Sequence, residues 1–216
     1  MGYSQKEQVI FNRRTGPPLS VTTGITQWVT AIECICADGP ALTPLVIHRG
    51  QVPQQPMDRW FPASQHCPNW YTGFSTKGWS SNDLALEWLQ RIFLPETTKD
   101  DEWRCLILDG HNTHYPGEFQ WECINNRVVV VYLLPHMSHL IQPCDMGPFS
   151  QLKRHYARRL KDFTPQGSAT INQAQFNLLY QEARSQSFTK QYYQAGWSRT
   201  GIYPWNPSRI INHPII

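Results

Sequence analysis

The chain has 216 residues, 40% of them hydrophobic and 16% charged, with a formal net charge of +3. That is apolar material for one core-forming domain with a helical appendage and excludes a disordered chain, while so weak a positive balance does not by itself argue for a nucleic-acid partner. No run approaches the roughly 18 apolar residues of a membrane helix, and no apolar leader follows Met1, so the six cysteines read as free, mostly buried thiols rather than as a secreted disulfide framework.

Residues 1–20 are polar and broken by Gly16-Pro17-Pro18. Trp28–Cys36 and Leu42–His48 are β-branched and joined by the turn signal Ala37-Asp38-Gly39-Pro40, which predicts a hairpin with Pro44 at a strand start or edge. Residues 49–79 are rich in Gln, Pro and Trp and read as irregular. A helix is expected over Leu84–Phe93, where Ala85, Trp88, Leu89 and Ile92 recur at helical spacing behind a Ser80/Asp83 capping box. Cys105–Leu108 reads as a short strand, Pro116–Ile124 as a helix, and Val128–Leu134 as a strand buried on both faces. Two long helices follow. Pro148–Phe163 carries the stripe Phe149, Leu152, Tyr156, Leu160 and Phe163, and Thr170–Arg184 opens with a Thr170/Gln173 capping box. The tail from Gly196 is Pro- and Trp-rich, and no internal repeat is present. Hairpin first, then strand–helix alternation, predicts an α/β fold with a mixed sheet flanked by helices.

Two acidic residues stand where chemistry is placed in such folds. Asp109 closes the strand Leu106-Ile107-Leu108, at the end where open sheets hold ligands, and Gly110 lets the chain turn away. Asp145 lies in Gln142-Pro143-Cys144-Asp145-Met146-Gly147, just ahead of the second-last predicted helix. Asp109 alone reads equally well as a cap or turn residue, and Asp145 alone reads more readily as a helix cap. Separated by 35 residues, the pair can return to one crevice, where like charges favour a bridging cation. Hard oxygen donors in an open site suit Mg²⁺.

Around them, His111 and His114 flank Asp109, and His136 and His139 precede Asp145. Zinc is the sharper reading of these pairs, with Cys144 or Cys123, but their loop setting favours histidines that orient carboxylates or touch phosphate. Five of the chain's 19 basic residues (Lys153, Arg154, Arg158, Arg159 and Lys161) lie opposite the apolar stripe of the helix after Asp145. A basic face there is placed to follow a phosphate backbone, giving affinity rather than sequence choice. Trp60, Trp70, Trp79, Trp197 and Trp205 read mainly as packing anchors, with base stacking as the alternative.

The segments Leu106-Ile107-Leu108-Asp109-Gly110-His111-Asn112-Thr113-His114 and Leu133-Leu134-Pro135-His136-Met137-Ser138-His139-Leu140-Ile141-Gln142-Pro143-Cys144-Asp145-Met146-Gly147-Pro148-Phe149 resemble the DDE endonuclease domain of pogo-like transposases. These belong to the mariner superfamily, with Tigger and fungal Fot-type elements and the domesticated centromere protein B lineage. The tail Gly201-Ile202-Tyr203-Pro204-Trp205-Asn206-Pro207 is similar to the family's closing signature, and the 35-residue spacing fits the fungal branch. The resemblance implies an RNase H-like fold over residues 1–165, with 166–216 as a helical extension of the same domain. It implies a nuclear protein that cleaves and transfers DNA strands at transposon ends with Mg²⁺ or Mn²⁺, with DNA ends and target as partners, no membrane, and a homo-oligomer in the full-length protein.

Of the three metal-binding carboxylates, Asp109 matches the second and Asp145 the third; His111, His139, Lys153, Arg154 and Arg158 are the candidate nucleic-acid contacts. The first carboxylate, on the opening central strand, is expected upstream of residue 1, Met1-Gly2-Tyr3 being similar to the end of its motif. Neither Glu7 nor Glu33 matches that position. A chain without that strand is expected to be marginally stable and inactive in strand transfer alone. The alternative is a non-catalytic nucleic-acid-binding remnant or a domesticated protein.

Overall fold

The computed structural model describes residues 29–50, 70–75, 81–109, 117–134, 137–163 and 171–213. The predicted hairpin forms from β1 (Val29–Ile32) and β2 (Leu45–Arg49), antiparallel from Val29 opposite His48 to Ile32 opposite Leu45, and an Ile35–Ala41 bridge extends it toward the turn. Pro44 stands just outside β2, where its missing N–H interrupts no ladder. β3 (Tyr71–Ser75) pairs parallel with the other edge of β2 and falls inside the stretch expected to be irregular. Its Gly73 hides the strand signal, yet a Cβ there would sit 3.1 Å from Leu84 Cδ2, so the glycine is what lets the next helix approach.

That helix is α1 (Asn82–Trp88), continued by a π-helical segment, Leu89–Phe93, and by α2 (Leu94–Thr97). Ser81 is its N-cap, its side chain accepting from the Leu84 N–H at 3.3 Å; the expected cap, Ser80, lies outside the described residues. The widening has a local cause. Pro95 has no N–H, and in a regular helix its ring would strike the carbonyl four residues back, so the chain loosens one turn earlier.

β4 (Arg104–Leu108), α3 (Gly117–Asn125) and β5 (Val128–Tyr132) form a βαβ unit with β4 and β5 parallel, Arg104 opposite Val128 and Leu108 opposite Tyr132. Arg104 anchors the start of β4 on Thr97 Oγ1 at 2.9 Å and Thr98 Oγ1 at 3.1 Å. β5 departs from expectation. Val128 is buried, but Val129 and Val131 are 50% and 41% exposed, because α3 covers one face of this two-stranded sheet and the other faces solvent. The single mixed sheet expected from the sequence is, among the described residues, two sheets, ordered β1-β2-β3 and β4-β5. One core nevertheless spans both. Leu45 and Ile47 of β2, Leu106 of β4 and Val128 of β5 pack with Trp88, Leu89, Ile92, Phe119 and Cys123.

A second core lies on the opposite face of β1 and β2. Short helices α4 (Ser138–Ile141) and α5 (Pro143–Met146) lead into α6 (Pro148–Phe163), with the predicted bounds, and then α7 (Gln173–Ser187), α8 (Lys190–Thr200) and α9 (Ser208–Ile211). Leu152 and Tyr156 of α6 meet Leu179, Tyr180 and Ala183 of α7. The capping box of α7 is Asn172/Gln175, both halves formed, and not Thr170/Gln173. Asn is the stronger cap and sits two residues nearer the helix; Thr170 lies outside the described residues. α8, which falls in the expected helical extension, ends at Gly201, which takes the left-handed conformation at φ 68.

His48 faces this second core, fully buried with its ring 6.1 Å from Phe74 and 6.3 Å from Phe176. Burial pushes its pKa down from 6.5 to about 4, with Asn177 pulling the other way. A histidine whose folded pKa is depressed adds stability above its unfolded pKa and loses it as protons bind the unfolded chain first. About 3 kcal/mol of stability is therefore present above pH 6.5 and lost progressively down to pH 4. Urea denaturation across that range should show the fall in the wild type, and His48→Leu should flatten it.

Candidate active site

Asp109 follows β4 directly, exposed at the C-terminal end of the strand, where the chain leaves the sheet. Asp145 reaches the same region from the helical layer. It occupies the third position of α5, half-buried, with its N–H donating to Gln142 O at 3.1 Å. Burial raises its carboxyl above the usual range; Lys153 lowers it, Asp109 raises it, and His139 lowers it. Those influences show which charges share the site. An ionised Asp109 opposes the ionised form of Asp145, while the charges of Lys153 and His139 favour it.

The basic residues of α6 divide by direction. Lys153, expected on the outward face, is placed so that its charge acts on Asp145. Arg159 turns to α7 and pairs with Glu182 at 3.1 Å. Arg154, Arg158 and Lys161 stay exposed, away from the buried stripe of Leu152 and Tyr156. Arg154 and Arg158 depress the His155 imidazole after burial does so, which places these two guanidiniums on one stretch of surface. His111, His114 and His136 lie outside the described residues, so the zinc reading of the histidine pairs falls largely there.

Glu33 is occupied elsewhere. Arg184 of α7 donates to its two carboxylate oxygens at 2.7 and 2.9 Å, and the Tyr180 hydroxyl donates to Oε1 at 2.8 Å. The carboxylate is fully buried; burial pushes it up and Arg184 pulls it back. It is a structural ion pair joining the hairpin to α7. Glu7 lies outside the described residues. Among the described residues no three His, Cys, Asp or Glu side chains gather into a metal cage; Asp109 and Asp145 come together as two.

What holds Asp145 in place was not read from the sequence. α5 lies backbone to backbone on α8. A Cβ on Gly147 would stand 2.4 Å from Tyr192 O, and one on Gly196 would stand 2.3 Å from Pro143 O. Arg199, in the last turn of α8, donates from Nη1 to Met146 O at 2.9 Å, and Ser150 Oγ donates to Gly147 O at 3.0 Å. Gly196 in the middle of Tyr192-Tyr193-Gln194-Ala195-Gly196-Trp197 was the available signal. A helical glycine is tolerated where another backbone comes close.

A family model described as DDE superfamily endonuclease matches residues 25–197. The chain belongs to this superfamily. The match takes in both halves of the DDE domain's candidate site and α8, the helix that braces Asp145, through Trp197. A curated relative, "MFS-type transporter clz9" of Cochliobolus lunatus, is 30% identical over 203 residues, covering 93% of this chain and 22% of that protein. The DDE domain thus spans about a fifth of the length of that relative. No solved structure matches the chain.

Two outcomes follow from this geometry. Gly196→Ala should destabilise the domain by about 1–3 kcal/mol through forced separation of α5 and α8, read from the urea midpoint; a gain, as helix propensity alone would give, would contradict the close approach. Asp145 has a raised folded pKa, so the stability it favours is complete below its unfolded pKa of about 4 and lost as pH rises through the folded value. In metal-free protein, Asp145→Asn should therefore raise the thermal midpoint at pH 7, with the gain over the wild type vanishing below pH 4.

Proposed function

We infer that the chain is the nuclease domain of a transposase, cutting DNA with divalent metal ions held by Asp109 and Asp145. One observation carries the reading: across 35 intervening residues, Asp109 at a strand end and Lys153 on α6 both act on the charge of Asp145, on a helix of the opposite layer. Without a cation that juxtaposition is unfavourable, and hard oxygen donors match Mg²⁺ or Mn²⁺. Bound there, the ions would supply a Lewis acid that acidifies water and takes up charge on the leaving oxygen of a phosphodiester.

The chain's own groups do the rest. Asp109 and Asp145 would hold the ions. Lys153 and His139 meet the non-bridging oxygens of the scissile phosphate. Arg154 and Arg158, exposed along α6, carry the duplex backbone away from the site, and His111 follows Asp109 as a further phosphate contact. The finer reading is an RNase H-like sheet of the pogo and Tigger type. Its support is the position of the strand ends: β1 and β4 both border the first core, and neither pairs with the other among the described residues. That reading requires a strand bearing a third acid between them. Residues 1–165 then form the nuclease core and 166–216 its helical extension, working in the nucleus on transposon ends and target DNA, as a homo-oligomer in the full-length protein.

The transporter activity in the name of the Cochliobolus lunatus protein is not carried over. The match covers 22% of that protein, and among the described residues no helix is long and apolar enough to cross a membrane. The test is thermal. Mg²⁺ or Mn²⁺ at a hundred times its dissociation constant should stabilise the wild type by about 2.7 kcal/mol and leave Asp109→Asn and Asp145→Asn unmoved. An equal shift in all three proteins would sink the metal site.

A further inference from the structure

The helix that braces Asp145 runs on into a turn that the cleavage chemistry leaves unused. Gly201 follows α8 at φ 68, and a Cβ there would fall 2.1 Å from Asn206 O, so the position requires glycine. The Asn206 N–H closes the turn on Gly201 O at 2.7 Å. Amides of Ile210 and Ile211 then bond to Pro207 O at 3.0 Å, which starts α9. Backbone bonds and prolines hold this turn, and its aromatic side chains do not. Trp205 is 77% exposed and Tyr203 52%, whereas Trp88 in the first core is 4% exposed.

The surroundings are mainly cationic and polar, with Ile211 of α9 also exposed. Arg199 enters the turn and Arg209 leaves it, both exposed, with exposed Asn206 and Ser208 between. Arg199 also ties the turn to the active segment through Met146 O, the carbonyl next to Asp145. Two unburied aromatic faces flanked by guanidiniums match a strand with accessible bases and a phosphate backbone better than they match an apolar protein partner.

We propose that Tyr203 and Trp205 form a stacking platform for unpaired DNA bases, on the turn that follows the helix bracing Asp145, with Arg199 and Arg209 meeting the adjoining phosphates. The proposal rests on the nuclease reading and names the feature of the substrate that this face takes: a strand whose bases are free of the duplex at the point of cutting. Stacking is indifferent to base identity, so the platform orients a strand end without choosing its sequence.

The test uses the full chain and two labelled probes followed by fluorescence anisotropy: an oligothymidylate strand and an abasic strand of the same length. The wild type should bind the oligothymidylate about five- to a hundredfold more tightly. The Tyr203→Ala/Trp205→Ala double variant should lose that preference while keeping the affinity for the abasic strand, and Trp205→Phe should retain most of it. Equal binding of both probes by the wild type, or an unchanged preference in the double variant, overturns the platform and leaves the nuclease reading standing. Failure to bind either probe overturns both. A double variant that loses self-association in sedimentation, with its base preference intact, assigns the face to a second copy of the chain and also overturns the proposal.

Discussion

The helical layer that carries Asp145 is joined to the hairpin by the buried pair of Glu33 and Arg184. Glu33 lies just beyond β1 with no solvent exposure, and Arg184 reaches it from the last turn of α7. A charge taken out of water is tolerated only when its hydrogen-bonding sites are filled. Here they are: the carboxylate receives Arg184 through both oxygens and the Tyr180 hydroxyl, while the same guanidinium donates to Leu42 O at 2.7 Å. Such a pair adds little net stability against an apolar alternative, yet removing one partner costs about 3–5 kcal/mol. Its forked geometry accepts one relative position of strand and helix.

The pair acts on the segment that carries Asp145. The Glu33 charge helps to raise the thiol of Cys144, the residue before Asp145, although burial is the larger cause. The same charge helps to raise the Cys34 thiol, again after burial. The active segment is thus gripped on two sides. Its inner side rests against the sheet-to-helix joint, and its outer side against α8 through the Gly147 and Gly196 backbones. A short helix of four residues has little stability of its own. Asp145 is held at its position by these neighbours, and a half-buried carboxylate facing another one is the cost of that position.

Much of this was legible from the residues. Alternating and helical periodicities located the hairpin, β4, α3 and the full extent of α6, because each buries a single face or stripe. Asp109 and Asp145 stood out because one closes an apolar strand and the other precedes a basic helix. β3 escaped because Gly73, needed for the approach of Leu84, removes the side chain that a strand pattern is read from. Within the helical extension expected over residues 166–216, the bounds of α8 were not read, because Gly196 interrupts its apolar periodicity. The capping residue of α7 was displaced by two positions because two overlapping S/T/N-x-x-Q patterns compete, and the backbone chose Asn172. The run of four valines at β5 says that a strand forms, but only the number of helices packed on it says how many faces are covered.

The order of chemistry-bearing residues, the apolar stripe of α6 and the closing turn with its glycine and prolines are local properties, set by periodicity, cap chemistry and allowed backbone angles, and the sequence by itself determined them. The influence of Asp109 and Lys153 on Asp145, the diversion of Glu33 into an ion pair, and the exposure of Trp205 while Trp197 packs against the second core were decided only in three dimensions. They arise from contacts between segments tens to more than a hundred residues apart, where a close backbone approach or a buried charge selects one packing, and no local pattern records which partner will arrive.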